Sequence, residues 1–204
     1  RIPGMISASP LVYDEDGKYV SGHYFGWGIA HEIGHCINQS AYTVAEITNN
    51  YFAQLAQAKD TSTGMRFTYE NIYDKVTSGT TGQASNIATQ LGMYWQLHLA
   101  YDMNYNYKTF DDHAQQLESL FYARVDSYAR TPSLAPAPDG ISLTLSGGTD
   151  QCLMRLACAA AEKDILEFFE RWGKIPDSTT IEYASQFEKE ERAIYYTDDD
   201  SRVY

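Results

Sequence analysis

Apolar and polar positions alternate with helical spacing over most of the chain. Trp27-Gly28-Ile29-Ala30 leads into a segment where Ile33, Cys36 and Ile37 continue the apolar pattern between polar positions, which predicts a buried helix. Gln39-Ser40-Ala41 reads as a turn, and Thr43 as the N-cap of a second helix over 43–58. Thr61-Ser-Thr-Gly64 breaks it; helical spacing returns over about 68–77, and Gly79-Thr-Thr-Gly82 marks a loop. Residues 84–102 predict a strongly amphipathic helix. Phe110 to Arg130 predict another, with Asp111 and Asp112 at its positive end. Residues 131–149, rich in Pro, Gly and Ser, read as an ordered loop with a short strand at Ile141–Leu145. Asp150 to Trp172 predict one long helix capped by Gly173. Ser178 and Thr179 open a last helix ending near Tyr195. The period-2 signal is confined to a hairpin near the start, Leu11-Val-Tyr13 and Lys18-Tyr-Val20 around Asp14-Glu-Asp-Gly17.

These elements predict a mainly α chain, α+β overall. A short β segment lies at the N-terminus, two helices follow, and a C-terminal helical subdomain completes it. At 204 residues it fits one domain, 1–204, large enough to bury most of its apolar surface. Within that domain, 1–25 holds the hairpin, 26–60 the two following helices and 61–204 the helical subdomain. The chain opens Arg1-Ile-Pro-Gly4, with no initiator Met, signal peptide or transmembrane run, and so reads as a piece of a longer protein.

The chemistry concentrates in His31-Glu32-Ile33-Gly34-His35, an HExxH motif. Residues four apart share a helix face, so His31 and His35 aim two imidazoles at one point at a spacing that suits Zn²⁺. Glu32 stands beside the first of them, where it can take a proton from a water activated by the metal. Gly34 costs roughly 1 kcal/mol against Ala in a helix, which close packing or substrate approach would explain. Catalytic zinc takes three protein ligands and keeps one open position. In the pattern HExxHxxGxxH the third ligand is a histidine, but here those positions are Asn38 and Ala41. A glutamate from the next helix is the other solution. Glu46 follows His35 by eleven residues and falls in the first turn of the second helix, facing the zinc. Asn50, one turn on, is placed to hydrogen-bond a ligand.

These residues carry a family resemblance. Trp27 to Gln39 followed by Val44-Ala-Glu-Ile-Thr-Asn-Asn-Tyr51 resembles the catalytic segment of the M60-like (enhancin/mucinase) zinc metallopeptidases, of gluzincin type. Leu91-Gly-Met-Tyr-Trp-Gln-Leu-His-Leu-Ala-Tyr101 is similar to that family's YWQL helix, and Asp164 to Pro176 to its FFxxWG segment. The resemblance spans residues 25–176. It implies a secreted or surface-attached bacterial endopeptidase acting on O-glycosylated, mucin-like glycoproteins, with one Zn²⁺ per chain. It further implies His31, His35 and Glu46 as metal ligands and Glu32 as general base. A β-rich portion usually precedes the HExxH helix in this family, so the resemblance implies that residues 1–25 are its remnant and that 26–60 are zincin-like catalytic, zinc-binding helices.

Other residues fill out the picture. Such a site needs a donor for the oxyanion, and Tyr94, His98 and Tyr101 share one helix face at i, i+4 and i+7. A core face with a hydrogen-bonded histidine is the competing reading, and the favoured one. His23 reads as rim or surface, and His113 as solvated. Arg155 reads as the member of an intramolecular salt bridge. Asn38-Gln-Ser40 matches a glycosylation sequon but sits at the end of the zinc helix. The formal charge of −12 argues against nucleic acid or anionic membrane as partner. Cys36, Cys152 and Cys158 read as three buried free thiols.

Two rivals share the motif: a glycan- or glycoprotein-binding module with a vestigial zinc site, against which the intact Glu32 counts, and a zinc aminopeptidase, whose Gly-x-Met-Glu-Asn strand does not occur here. A structural zinc domain would want four ligands, and no fourth His or Cys is convincingly placed.

Overall fold

The computed structural model describes residues 12–13, 15–17, 19–20, 28–59, 87–102, 121–192 and 194. The hairpin is present: β1 (Val12–Tyr13) pairs antiparallel with β2 (Tyr19–Val20), Val12 opposite Val20 and Tyr13 opposite Tyr19. Gly17, at φ 74°, supplies the left-handed residue the turn requires. Seven α-helices follow among the described residues. They are α1 (Ala30–Ile37), α2 (Thr48–Lys59), α3 (Ile87–Tyr101), α4 (Phe121–Arg130), α5 (Thr149–Ala161), α6 (Leu166–Arg171) and α7 (Ser178–Ala184). α1 packs on α2, α2 on α3, α4 on α5 and α5 on α7. The expected helix at 68–77, the loop at 79–82, Trp27, His23, Asp111, Asp112 and His113 lie outside the described residues.

α3 differs in kind from the amphipathic helix its pattern predicts. Every residue from Leu91 to Ala100 is buried, so over that stretch the helix has no solvent face and lies in the core. Gln96 and His98 find partners inside. Gln96 Oε1 accepts from the indole N–H of Trp172 at 2.9 Å, and His98 Nδ1 lies 3.1 Å from the Tyr51 hydroxyl. Most buried polar groups have such partners. Around α3 pack Phe121 and Val125 of α4, Leu153 and Leu156 of α5, and Phe168 and Phe169 of α6.

The long helix expected over 150–172 is two. α5 ends at Glu162, which turns left-handed at φ 52°, and the chain then enters a parallel bridge between Asp164 and Lys189. Asp164 N–H donates to Glu188 O and Glu190 N–H to Asp164 O, both at 2.9 Å. The Asp164 carboxylate then accepts from Leu166 N–H at 3.0 Å, satisfying one of the free amides that open α6. Gly173 ends α6 at φ 77°, as its position in the sequence suggests. The last helix is shorter than expected and is capped by Asp177, whose carboxylate accepts from Thr180 N–H at 2.7 Å.

No strand forms at 141–145, where the carbonyls have other partners. Arg155, wholly buried, donates its Nε–H to Thr144 O at 2.9 Å and an Nη2–H to Ser146 O, while Nη1 reaches the Thr180 hydroxyl at 2.6 Å. With Asp177 at 3.7 Å, this guanidinium is a structural clamp joining the loop, α5 and α7, in keeping with the salt bridge expected of it. Cys152 and Cys158 are buried and free, and burial pushes the Cys158 thiol up to about 12. Cys36, expected inside, is exposed.

Candidate metal centre

The centre is built by two short helices and the turn between them. α1 carries His31 and His35 one turn apart, their rings edge to face with centroids 5.0 Å apart. α1 is not buried all round as its apolar pattern suggests. Ile33 is 52% and Ile37 47% exposed, and with Cys36 they lie on solvent. Only the side bearing His31 and Gly34 is covered, because that is where α2 lies.

Gly34 explains the close approach. A Cβ built there would lie 2.8 Å from Asn49 Cβ, 2.9 Å from Asn49 Cα and 3.2 Å from Asn49 O. Those atoms belong to the backbone and root of α2, which cannot yield without moving the helix. Gly34→Ala should therefore be destabilising. Helix propensity would favour Ala by roughly 1 kcal/mol, but overpacking against backbone costs about 1–3 kcal/mol, and the clash wins. A lower melting temperature together with weakened zinc binding is the expected result of thermal unfolding and chelator competition. A higher melting temperature would contradict the packing argument.

The second helix begins later than its sequence suggests. Thr43 does not cap it; the Thr43 hydroxyl donates back to Gln39 O at 2.6 Å. Turns at 40–42 and 45–47 precede α2 at Thr48, so Glu46 stands just before the helix rather than in its first turn. Glu46 is left-handed, at φ 66°, which for a residue with a Cβ costs roughly 1–2 kcal/mol. An amide N–H of Asn50 donates to Glu46 O and holds the turn in that shape.

The strained turn aims the Glu46 carboxylate between the imidazoles. Oε2 is 3.3 Å from His31 Nε2, and Oε1 is 3.2 Å from His35 Nε2. One ligand atom from each of the three residues falls within 4.8 Å of the others. Two imidazole nitrogens and one carboxylate oxygen are the donor set of a catalytic zinc, so the residues fit that metal. Asn50 also orients His31. Its Oδ1 lies 2.9 Å from His31 Nδ1. A carboxamide oxygen only accepts, so Nδ1 carries the proton and Nε2 is left bare toward Glu46. Glu32, one residue from His31, is half-buried at the edge of the cluster.

Of the other candidates, Tyr94 and His98 lie in the core, 2% and 1% exposed, and burial raises the Tyr94 phenol above its usual pKa. The Tyr94 ring packs near Tyr51 and Tyr122, and among the described residues its buried hydroxyl has no hydrogen-bond partner. Tyr101 donates to Glu190 Oε2 at 2.9 Å beneath the Arg192 guanidinium. Its phenol is raised first by burial, then by the Glu190 carboxylate. Asn38, in the sequon, has both side-chain polar atoms buried. Sequence reasoning missed Asn49, whose amide nitrogen lies 2.9 Å from His35 Nε2 and 3.0 Å from His31 Nε2. The doublet Asn49-Asn50, three and four residues after Glu46, was the available signal, since both spacings return to one helix face.

Solved structures similar to the chain include peptidase domains. The chain is 26% identical to the ZmpB metallopeptidase from Clostridium perfringens, with a TM-score of 0.59 over 88% of this chain and 33% of that one. It is 26% identical to the M60 catalytic domain of C. perfringens ZmpC, solved in complex with the sialyl T antigen, at a TM-score of 0.55 over 88% of this chain and 33% of that one. The catalytic module of C. perfringens ZmpA shares the fold at 21% identity and a TM-score of 0.54, over 85% of this chain and 30% of that one. The chain thus spans about a third of the length of these structures. Among curated proteins none matches it. The family model for peptidase M60, enhancin and enhancin-like, matches residues 4–173, and the chain belongs to that metallopeptidase family.

Proposed function

We propose that the chain carries the zinc centre of an endopeptidase that hydrolyses peptide bonds in O-glycosylated, mucin-like glycoproteins outside the cell. The observation that carries this reading is the convergence of His31, His35 and Glu46 from two elements, with Asn50 fixing the tautomer of the first histidine. The glycoprotein substrate is supported by family membership and by the sialyl T antigen bound to the ZmpC domain. Among the described residues no helix is long and apolar enough to cross a membrane.

In this reading His31, His35 and Glu46 hold one Zn²⁺, which when bound polarises the scissile carbonyl and acidifies water at the centre. Glu32 does the proton work. Its carboxylate accepts a proton as water adds to the carbonyl carbon, and returns it to the amine nitrogen as the C–N bond breaks. Asn50 keeps the His31 ring in place throughout, because both its Nδ1 contact and its hold on Glu46 O are independent of substrate.

The test pairs metal analysis with substrate cleavage. Wild type should contain one zinc per chain and cleave a mucin glycoprotein but not its enzymatically deglycosylated form. Equal cleavage of both forms would remove the glycan from the reading and leave the peptidase. Zinc without any cleavage would favour the glycan-binding module, and a chain that takes up no zinc would overturn the proposal.

A further inference from the structure

His98, Asp102 and Tyr51 form a polar group inside the core, and the mechanism above uses none of them. All three are buried. His98 Nδ1 lies 3.1 Å from the Tyr51 hydroxyl and 3.6 Å from Asp102 Oδ2. Asp102 Oδ1 accepts the Phe121 N–H at 2.7 Å, which anchors the carboxylate at the start of α4. Its buried Oδ2 has no hydrogen-bond partner among the described residues. A carboxylate oxygen only accepts, so its charge beside Nδ1 favours a proton on that nitrogen. Nδ1–H is then the donor and the Tyr51 oxygen the acceptor. Apolar side chains of similar size would fill this space without the desolvation that buried polar groups incur. What they could not supply is a bond with a fixed direction.

That direction matters because of where Tyr51 stands. It follows Asn50, whose Oδ1 lies 2.9 Å from His31 Nδ1 and whose amide N–H holds Glu46 O. Successive helix residues project roughly 100° apart, so Asn50 faces α1 while Tyr51 faces α3. The contact at Gly34 limits how closely α2 approaches α1. It does not fix the rotation of α2 about its own axis. Any such rotation swings Asn50 and Tyr51 together, because both belong to one turn of helix. α3 is the fixed member of the pair, since its residues 91–100 are all buried. The Tyr51 ring also meets Tyr122, with centroids 4.5 Å apart and planes tilted by 43°. A ring contact tolerates small rotations better than a hydrogen bond, which weakens steeply with angle.

We propose that His98, with Asp102 behind it, is a positioning residue for the metal centre. Through Tyr51 it sets the rotation of α2, and so keeps the Asn50 oxygen on His31 Nδ1 and the Nε2 of that ring turned toward Glu46. The inference rests on the zinc reading above. Tyr51→Phe keeps the ring and removes only the hydroxyl; His98→Leu removes Nδ1. Well below the melting temperature of each variant, zinc affinity by chelator competition should fall about 3- to 10-fold in Tyr51→Phe, less than the 10- to 100-fold typical of a group bonded directly to a ligand. The double variant should bind zinc no more weakly than His98→Leu alone, because either change breaks the same link. A second reading needs no metal. In the metal-free protein with ¹⁵N-labelled histidine, the His31 Nδ1–H proton should exchange with water faster in Tyr51→Phe than in wild type. Loss of an ordinary core bond lowers the melting temperature and moves neither reading. Should His98→Leu fail to fold, Tyr51→Phe decides alone. Unchanged zinc affinity and unchanged exchange in Tyr51→Phe would overturn the proposal and leave the zinc reading intact, and additive losses in the double variant would also overturn it. A wild type that binds no zinc would remove the zinc reading, and the exchange measurement would still decide whether Tyr51 holds Asn50 in place.

Discussion

Glu32→Gln should bind zinc as tightly as wild type, melt at the same temperature and lose at least about 10²–10⁴-fold in turnover, the range assigned to a general acid–base. Each part of that expectation has a separate cause. Glutamine matches glutamate in size and stands on the half-buried edge of α1, so packing is undisturbed. The residue is not one of the three that converge, so the metal donors remain. Only the capacity to accept a proton is lost. Metal analysis, thermal unfolding and single-turnover cleavage of a mucin glycoprotein separate the three. A variant that kept more than a tenth of wild-type turnover would place the general base elsewhere.

Glu46→Gly should pull stability and function in opposite directions. Glu46 holds a left-handed backbone at φ 66°, a conformation glycine adopts without a steric penalty. Removing the Cβ should stabilise the metal-free protein by about 1 kcal/mol, the lower end of the left-handed cost for other residues. The same change deletes the carboxylate that stands 3.3 and 3.2 Å from the two imidazoles, and zinc binding and cleavage should vanish. Strain of this kind persists where the surroundings enforce it, and here the Asn50 amide on Glu46 O does so. Urea unfolding of the chelated protein is the measurement. A metal-free Glu46→Gly clearly less stable than wild type would mean that the carboxylate serves the fold, not only the metal.

Helical periodicity and motif spacing were enough to expect that His31 and His35 share one face, because an i, i+4 pair on a helix fixes its own geometry, and the structure brings Glu46 to them. The hairpin at Gly17, the Gly173 stop and the structural use of Arg155 were legible for the same local reasons. What the sequence could not decide depended on contacts between distant segments. Asp150 to Trp172 is periodic throughout, yet it breaks at Glu162 because Asp164 is drawn to residues 188–190. The 141–145 segment has strand-like residues, yet its neighbouring carbonyls belong to Arg155. α3 carries Gln96 and His98, which periodicity reads as a wet face, but Trp172 and Tyr51 come from far along the chain to satisfy them in the core. At the candidate centre the sequence put the two histidines on one helix but Glu46 one turn too late, inside the second helix rather than in the turn before it. Only the packing of α2 on Gly34 brought Asn49 to within 3.0 Å of both imidazoles, since that approach is set by a missing Cβ on one helix and the backbone of another.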